Sequence, residues 1–143
     1  TQRRRQRQMC IRDSYFPIVS AMAGTLGNAI HASNALTAIY LATGQDTACV
    51  AENSVGHFTV EKVDDGITWR LTLPSMTVGT VGGGTRLNQQ QQNLKLLGCD
   101  VGEHSSRKLA EIIAAAALGL EISLGSAIMS HTWTSAHMKY GRK

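Results

Sequence analysis

The stretch Gly79-Thr80-Val81-Gly82-Gly83-Gly84-Thr85 places four glycines in seven residues. Glycine takes φ > 0 at no steric cost and presents bare backbone, so a ligand can approach its peptide groups closely. N–H groups in such a turn, ahead of a helix N-terminus, make a seat for a phosphate or carboxylate. The spacing is neither G-x-G-x-x-G nor G-x-x-x-x-G-K-[ST], so it carries no Rossmann or P-loop signature. A second polar set lies upstream, where Asn28, His31, Asn34 and Thr37 recur at i, i+3 steps in a small and apolar stretch. Buried polar groups need hydrogen-bond partners, so this stripe either satisfies internal bonds or lines a ligand site. No two histidines share a ligand-type spacing with a cysteine or carboxylate on one helical face, so no metal site is expected. Taken alone, Asp46 reads as an exposed loop residue and His137 as a solvated one.

The elements that must position these residues follow from periodicity. Met22, Leu26, Ile30, Leu36, Ile39 and Tyr40 recur at helical spacing, which predicts one long, buried helix over Ser20–Thr43 with Gly44 as its stop. Gly56–Val63 and Ile67–Leu73 read as strands joined at Asp64-Asp65-Gly66, an antiparallel hairpin. The second strand feeds through Pro74 and Ser75 into the glycine loop. Asn88–Leu97 predicts a short helix ended by Gly98. Ser105 or Ser106 can cap a long final helix with Leu109, Ile112, Ile113, Ala116, Leu120, Leu124 and Ile128 on its core face. Glu121, inside that apolar run, needs a partner. The expected class is α+β, as part of a larger domain.

A chain of 143 residues can bury one ordinary core. Its formal charge of +4 comes entirely from Arg3, Arg4, Arg5, Arg7 and Arg12 against Asp13. Residues 1–14 therefore read as an arginine-rich leader, disordered or foreign to the fold, and 15–143 as the domain proper. The remaining charges balance, which argues against a nucleic-acid partner. Cys10, Cys49 and Cys99 are sparse and odd in number, fitting a reducing, cytoplasmic setting rather than a disulfide framework. No apolar run follows the basic start as a secretory signal would require. Ile112–Met129 carries Glu121 as its single charge, and a carboxylate at mid-span costs roughly 2.5–3.5 kcal/mol on insertion scales. A core helix is expected there, and no membrane segment.

Several motifs carry a specific resemblance. The run Leu73–Thr85 (LPSMTVGTVGGGT), Ser20–Gly27 (SAMAGTLG) and Thr37–Asp46 (TAIYLATGQD) resemble segments of 3-hydroxy-3-methylglutaryl-coenzyme A (HMG-CoA) reductases of the first class. Glu121-Ile122-Ser123-Leu124, with Ala136-His137-Met138 and Gly141-Arg142 downstream, is similar to the family's final helix and catalytic histidine. The resemblance implies the C-terminal part of the large, substrate-binding catalytic domain. It implies reduction of HMG-CoA to mevalonate with two hydrides from NADPH, in an enzyme that is a homodimer or higher homo-oligomer. Asp46 then matches a catalytic aspartate, His137 the proton donor to the departing thiolate, and Asn34 a substrate contact. Leu124, Ala127 and Ile128 match an apolar wall beside the substrate. Gly79, Thr80, Val81, Gly82, Gly83, Gly84 and Thr85 match a loop close to the cofactor. The family's catalytic glutamate and lysine, and its Asp-Ala-Met-Gly-Met-Asn cofactor motif, have no match in this sequence. A stretch lacking them is expected to be inactive by itself. An alternative is a catalytically inactive module binding a coenzyme A thioester or a nucleotide, which would need the glycine loop but not Asp46 and His137.

Overall fold

The computed structural model describes residues 18–130 and 132–141, and its first helix stops early. Residues 18–22 are helical. Gly24 then turns left-handed at φ 77°. The Gly24 N–H donates to the Ala21 carbonyl and the Thr25 N–H to that of Ser20, both at 3.0 Å. This pair of bonds is a left-handed glycine cap, which satisfies the last carbonyls of a helix. An irregular segment leads to α1 (Ala32–Thr43). The single buried helix expected over Ser20–Thr43 is therefore two helical pieces, and Met22 and Leu26 are each 83% exposed.

Tertiary bonds explain the break. The N–H groups of Asn28 and Ala29 both donate to the Gly56 carbonyl, at 2.9 and 3.2 Å. Gly27 lies so close to the Gly56 backbone that a Cβ would collide with it. The Asn28 side-chain amide then pairs with both backbone groups of Phe58, donating to its carbonyl at 2.7 Å and accepting from its N–H at 2.8 Å. Apolar spacing alone cannot see these partners, so the periodicity runs across a real gap. Residues 1–14, Cys10, Tyr15, His131 and Arg142 lie outside the described residues.

α1 begins where the Glu121 carboxylate accepts from the N–H groups of His31 (2.6 Å) and Ala32 (3.0 Å). Helix starts leave such donors unpaired and carry partial positive charge, so a carboxylate is a doubly favourable partner. Glu121 is 3% exposed, and these bonds are the partner its apolar surroundings demand. At the other end Gly44 takes φ 72°, as expected for the stop, and the Gln45 N–H closes onto the Tyr40 carbonyl at 2.9 Å.

A 3₁₀ turn (Thr47–Cys49) and α2 (Val50–Asn53) lead to β1 (His57–Val63) and β2 (Gly66–Thr72). The strands pair antiparallel with Val63 opposite Gly66, which leaves Asp64-Asp65 as the turn. The hairpin agrees with the sequence reading to within one residue at each end. A 3₁₀ turn (Gly83–Arg86) opens onto α3 (Asn88–Leu96), which stops at Gly98, φ 63°. α4 (Ser105–Met129) and α5 (Thr132–Tyr140) complete an α+β arrangement.

The core joins Ala32, Ala35, Leu36 and Tyr40 of α1 to Leu94, Cys99 and Leu109, Ile113 and Ala117 of α4. α4 packs on α1 and on β2. Its fully buried positions, Leu109, Ile113, Ala117 and Glu121, recur every four residues. The wider core face expected there is only half-buried at Ile112, Ala116, Leu120, Leu124 and Ile128, because the described neighbours cover one side. By length and composition α4 is apolar enough to cross a membrane, with mean hydropathy 1.9. Its buried stripe packs against the α1 core, while 17% of that apolar stretch is buried. Cys49 and Cys99 are free thiols.

Candidate functional site

The glycine loop is fixed from below by two side chains that sequence reading passes over. Gln45 presents its amide edge-on to Gly79, donating from Nε2 to the Gly79 carbonyl (2.7 Å) and accepting at Oε1 from its N–H (2.8 Å). Fully buried Asn53 donates from Nδ2 to the Tyr40 hydroxyl (2.7 Å) and to the Thr77 carbonyl (3.2 Å). The Tyr40 hydroxyl in turn donates to Thr77 at 2.9 Å. Burial pushes the Tyr40 phenol up, partly offset by the Asn53 bond. Gln45 was visible only inside the Thr37–Asp46 motif, and Asn53 only as polarity beside apolar helices.

Past Gly79 the backbone takes forms that suit glycine. Gly82 sits at φ 88°, ψ 177°, and Gly83 at φ 51°. Gly84 abuts Gly44 so closely that a Cβ on either would meet the other's backbone. Thr85 is buried, and its hydroxyl donates to the Gly82 carbonyl. The Thr80 and Ser105 hydroxyls share a hydrogen bond of 2.7 Å. Neither Ser105 nor Ser106 caps α4 as expected: its N-cap is His104, with no side-chain bond, because the Ser105 hydroxyl is engaged with the loop. The N–H groups of Thr80, Val81 and Gly82 donate to no described residue. They border a groove of about 510 Å³ that Arg86 and Lys95 also line, with Asp100. Free amides, left-handed glycines and two cations fit a phosphate-bearing ligand.

Asp46 is exposed and caps the 3₁₀ turn, its Oδ1 accepting from the Ala48 N–H at 3.0 Å. It lies two residues past Gly44, so the Gly44–Gly84 contact brings its turn against the glycine loop. Burial pushes the neighbouring Cys49 thiol up, and the Asp46 and Glu52 carboxylates add to the shift.

The remaining predicted residues lie elsewhere. Asn34 is exposed in the first turn of α1, at the opposite end of that ~18 Å helix from Asp46. The polar stripe it belonged to is dispersed: Asn28 has left the helix, His31 precedes it, and the Thr37 hydroxyl donates back to the Ser33 carbonyl. Leu124 and Ile128 border a small cleft of about 30 Å³ with Asn28, Ile30 and Phe58. Ala127 is half-buried beside it, its carbonyl accepting from Ser130. His137 is exposed on α5, whose main neighbour is α4. Among the described residues no group of three or more metal-ligating side chains comes together.

Comparison with known proteins agrees with these motifs. The family model described as Hydroxymethylglutaryl-coenzyme A reductase matches residues 2–142. A 3-hydroxy-3-methylglutaryl-coenzyme A reductase of Methanocaldococcus jannaschii is 43% identical over 125 residues, covering 87% of this chain and 31% of the relative. The 3-hydroxy-3-methylglutaryl-coenzyme A reductase 2 of Gossypium hirsutum is 49% identical over 132 residues, covering 86% of this chain and 21% of the relative. A 3-hydroxy-3-methylglutaryl-coenzyme A reductase of Halobacterium salinarum is 45% identical over 129 residues, covering 87% of this chain and 32% of the relative. The chain thus spans between a fifth and a third of the length of these relatives.

Proposed function

The chain belongs to the hydroxymethylglutaryl-coenzyme A reductase family, and on that footing we propose that it forms part of an enzyme reducing HMG-CoA to mevalonate with NADPH. The observation that carries this reading is the junction of Asp46's turn with the glycine loop through Gly44–Gly84 and Gln45–Gly79. A charged group and an anion-accepting backbone loop then border one place.

Each residue has work to do in such a reaction. In such an enzyme NADPH, when bound, would be the source of hydride for the thioester carbonyl and then for the aldehyde. Thr80, Val81 and Gly82 would hold its anionic part through their open N–H groups, with Arg86 close by. Asp46, held by the Ala48 N–H, contributes a fixed charge to the hydrogen-bonded group around the carbonyl, where preorganised electrostatics lower the barrier most. His137 delivers a proton to the coenzyme A thiolate as the hemithioacetal collapses to the aldehyde. Asn34 contacts the substrate, and Leu124, Ala127 and Ile128 form its apolar wall. The whole enzyme would act in the cytoplasm as a homodimer or higher homo-oligomer.

The test is an assay of the full-length protein that carries this stretch. HMG-CoA should trigger NADPH oxidation with two equivalents consumed per mevalonate formed. Binding of HMG-CoA without any oxidation would instead support a thioester-binding module.

A further inference from the structure

Nothing in the family assignment says what holds the Asp46 turn and the glycine loop in register. Of the side chains that hold the loop, only Gln45 belongs to the Asp46 turn itself. Building on the reductase reading, we infer that Gln45 is a positioning residue, whose amide fixes the glycine loop relative to Asp46 and so sets coenzyme affinity.

The Gln45 amide does to Gly79 what a neighbouring β-strand would do. One edge donates and the other accepts, at 2.7 and 2.8 Å, on the two backbone groups of a single residue. Nε2 also reaches the Thr43 carbonyl at 3.3 Å, which ties the amide back to the end of α1. Only a group with a donor and an acceptor on one edge can satisfy both sides of Gly79; a carboxylate offers two acceptors and a thioether offers neither donor nor good acceptor. Gln45 stands between Gly44 and Asp46. Its neighbour Gly44 meets Gly84 five residues further along the loop from Gly79. Two points of attachment fix a loop's orientation where one would leave it free to pivot. Between them lie Thr80, Val81 and Gly82, whose N–H groups have no described partner. Their aim therefore depends on Gly79 at one end and Gly84 at the other, together with the Thr80–Ser105 hydroxyl bond between them.

Asn28 offers an internal control. It makes the same two-bond contact with Phe58, at 2.7 and 2.8 Å, but on the edge of the hairpin and away from the loop. Breaking either contact removes an equivalent pair of bonds, yet only the Gln45 pair should affect coenzyme binding.

The experiment compares Gln45→Met and Asn28→Leu with wild type in the full-length protein. Three quantities are measured: dissociation constants for NADPH and for HMG-CoA, hydrogen exchange over Gly79–Gly83, and melting temperature. Gln45→Met should weaken NADPH binding about tenfold, as expected for losing a part-buried two-bond contact. It should speed exchange of the Gly79 amide, which Gln45 accepts from, and leave HMG-CoA affinity within about twofold. Asn28→Leu should lower the melting temperature without changing NADPH affinity. Where Gln45→Met fails to fold, Gln45→Asn keeps the amide but falls one methylene short, and it carries the same comparison. Equal NADPH affinity in wild type and the Gln45 variant, with only the melting temperature lowered, overturns the inference and makes Gln45 a purely structural tie. A wild-type protein that binds no NADPH overturns the reductase reading, and this inference with it.

Discussion

Asp46 and His137 occupy opposite kinds of surroundings. The Asp46 turn is bounded by Gly44 against Gly84, by the Gln45–Gly79 amide pair and by its own bond to Ala48. Two further side chains brace the end of α1 from behind: Asn93 and Gln90 of α3 donate to the carbonyls of Ala42 (2.7 Å) and Leu41 (3.3 Å). His137 sits on a helix exposed at its described side chains from Thr134 to Tyr140, with α4 as its main support. The contrast teaches that a stretch covering a third or less of its relatives need not supply the parts of a site equally. One catalytic candidate sits in a turn tied to the glycine loop; the other sits on an exposed helix that packs on α4.

The sharpest way to break this contrast is at Gly44. Gly44→Ala places a Cβ on a left-handed residue and into the Gly84 backbone. Left-handed strain and overpacking together should cost about 2–4 kcal/mol. Ser135→Ala on exposed α5 removes a bond to the Thr132 carbonyl and should stay within about 0.5 kcal/mol. Denaturant unfolding of the two variants checks the difference. Equal stabilities would mean that the Asp46 end is no better supported than the His137 end.

A smaller effect sharpens the electrostatic side. The Asp46 and Glu52 carboxylates help hold the Cys49 thiol protonated, after burial. Asp46→Asn keeps a capping side chain but removes one negative charge, so the thiolate becomes easier to form. Alkylation of Cys49 at mildly alkaline pH should speed up by about two- to threefold. An unchanged rate would show that Asp46 carries no charge near this thiol.

Much of the fold was legible because its stops are glycines. Gly44 and Gly98 end helices where the sequence placed them, and Asp64-Asp65 turns the hairpin. The long helix over Ser20–Thr43 failed for the same kind of reason: Gly24 is also a cap, but apolar spacing continues past it and hides the break. Glu121's need for a partner was legible, but the identity of that partner was not, since it lies 89 and 90 residues away on the start of α1. The glycine loop stood out through its composition. Gln45 and Asn53 did not, and Asn28 stood out only as one of a polar stripe, because a side chain's pairing with distant backbone leaves no periodic trace. Asn34 and His137 were singled out through family motifs, and both lie exposed on helices.

The proposed reaction gives Asp46 and His137 different chemistry. The measurement that tests it most directly compares Asp46→Asn and His137→Gln in the full-length protein, each with HMG-CoA and with free mevaldehyde. Loss of a preorganised charge should cost Asp46→Asn about 10²-fold or more in kcat with both substrates. Loss of a general acid should cost His137→Gln about 10²–10⁴-fold with the thioester. It should largely spare the aldehyde, which expels no thiolate. Equal losses on both substrates for His137→Gln, or wild-type turnover in Asp46→Asn, would contradict this division of labour.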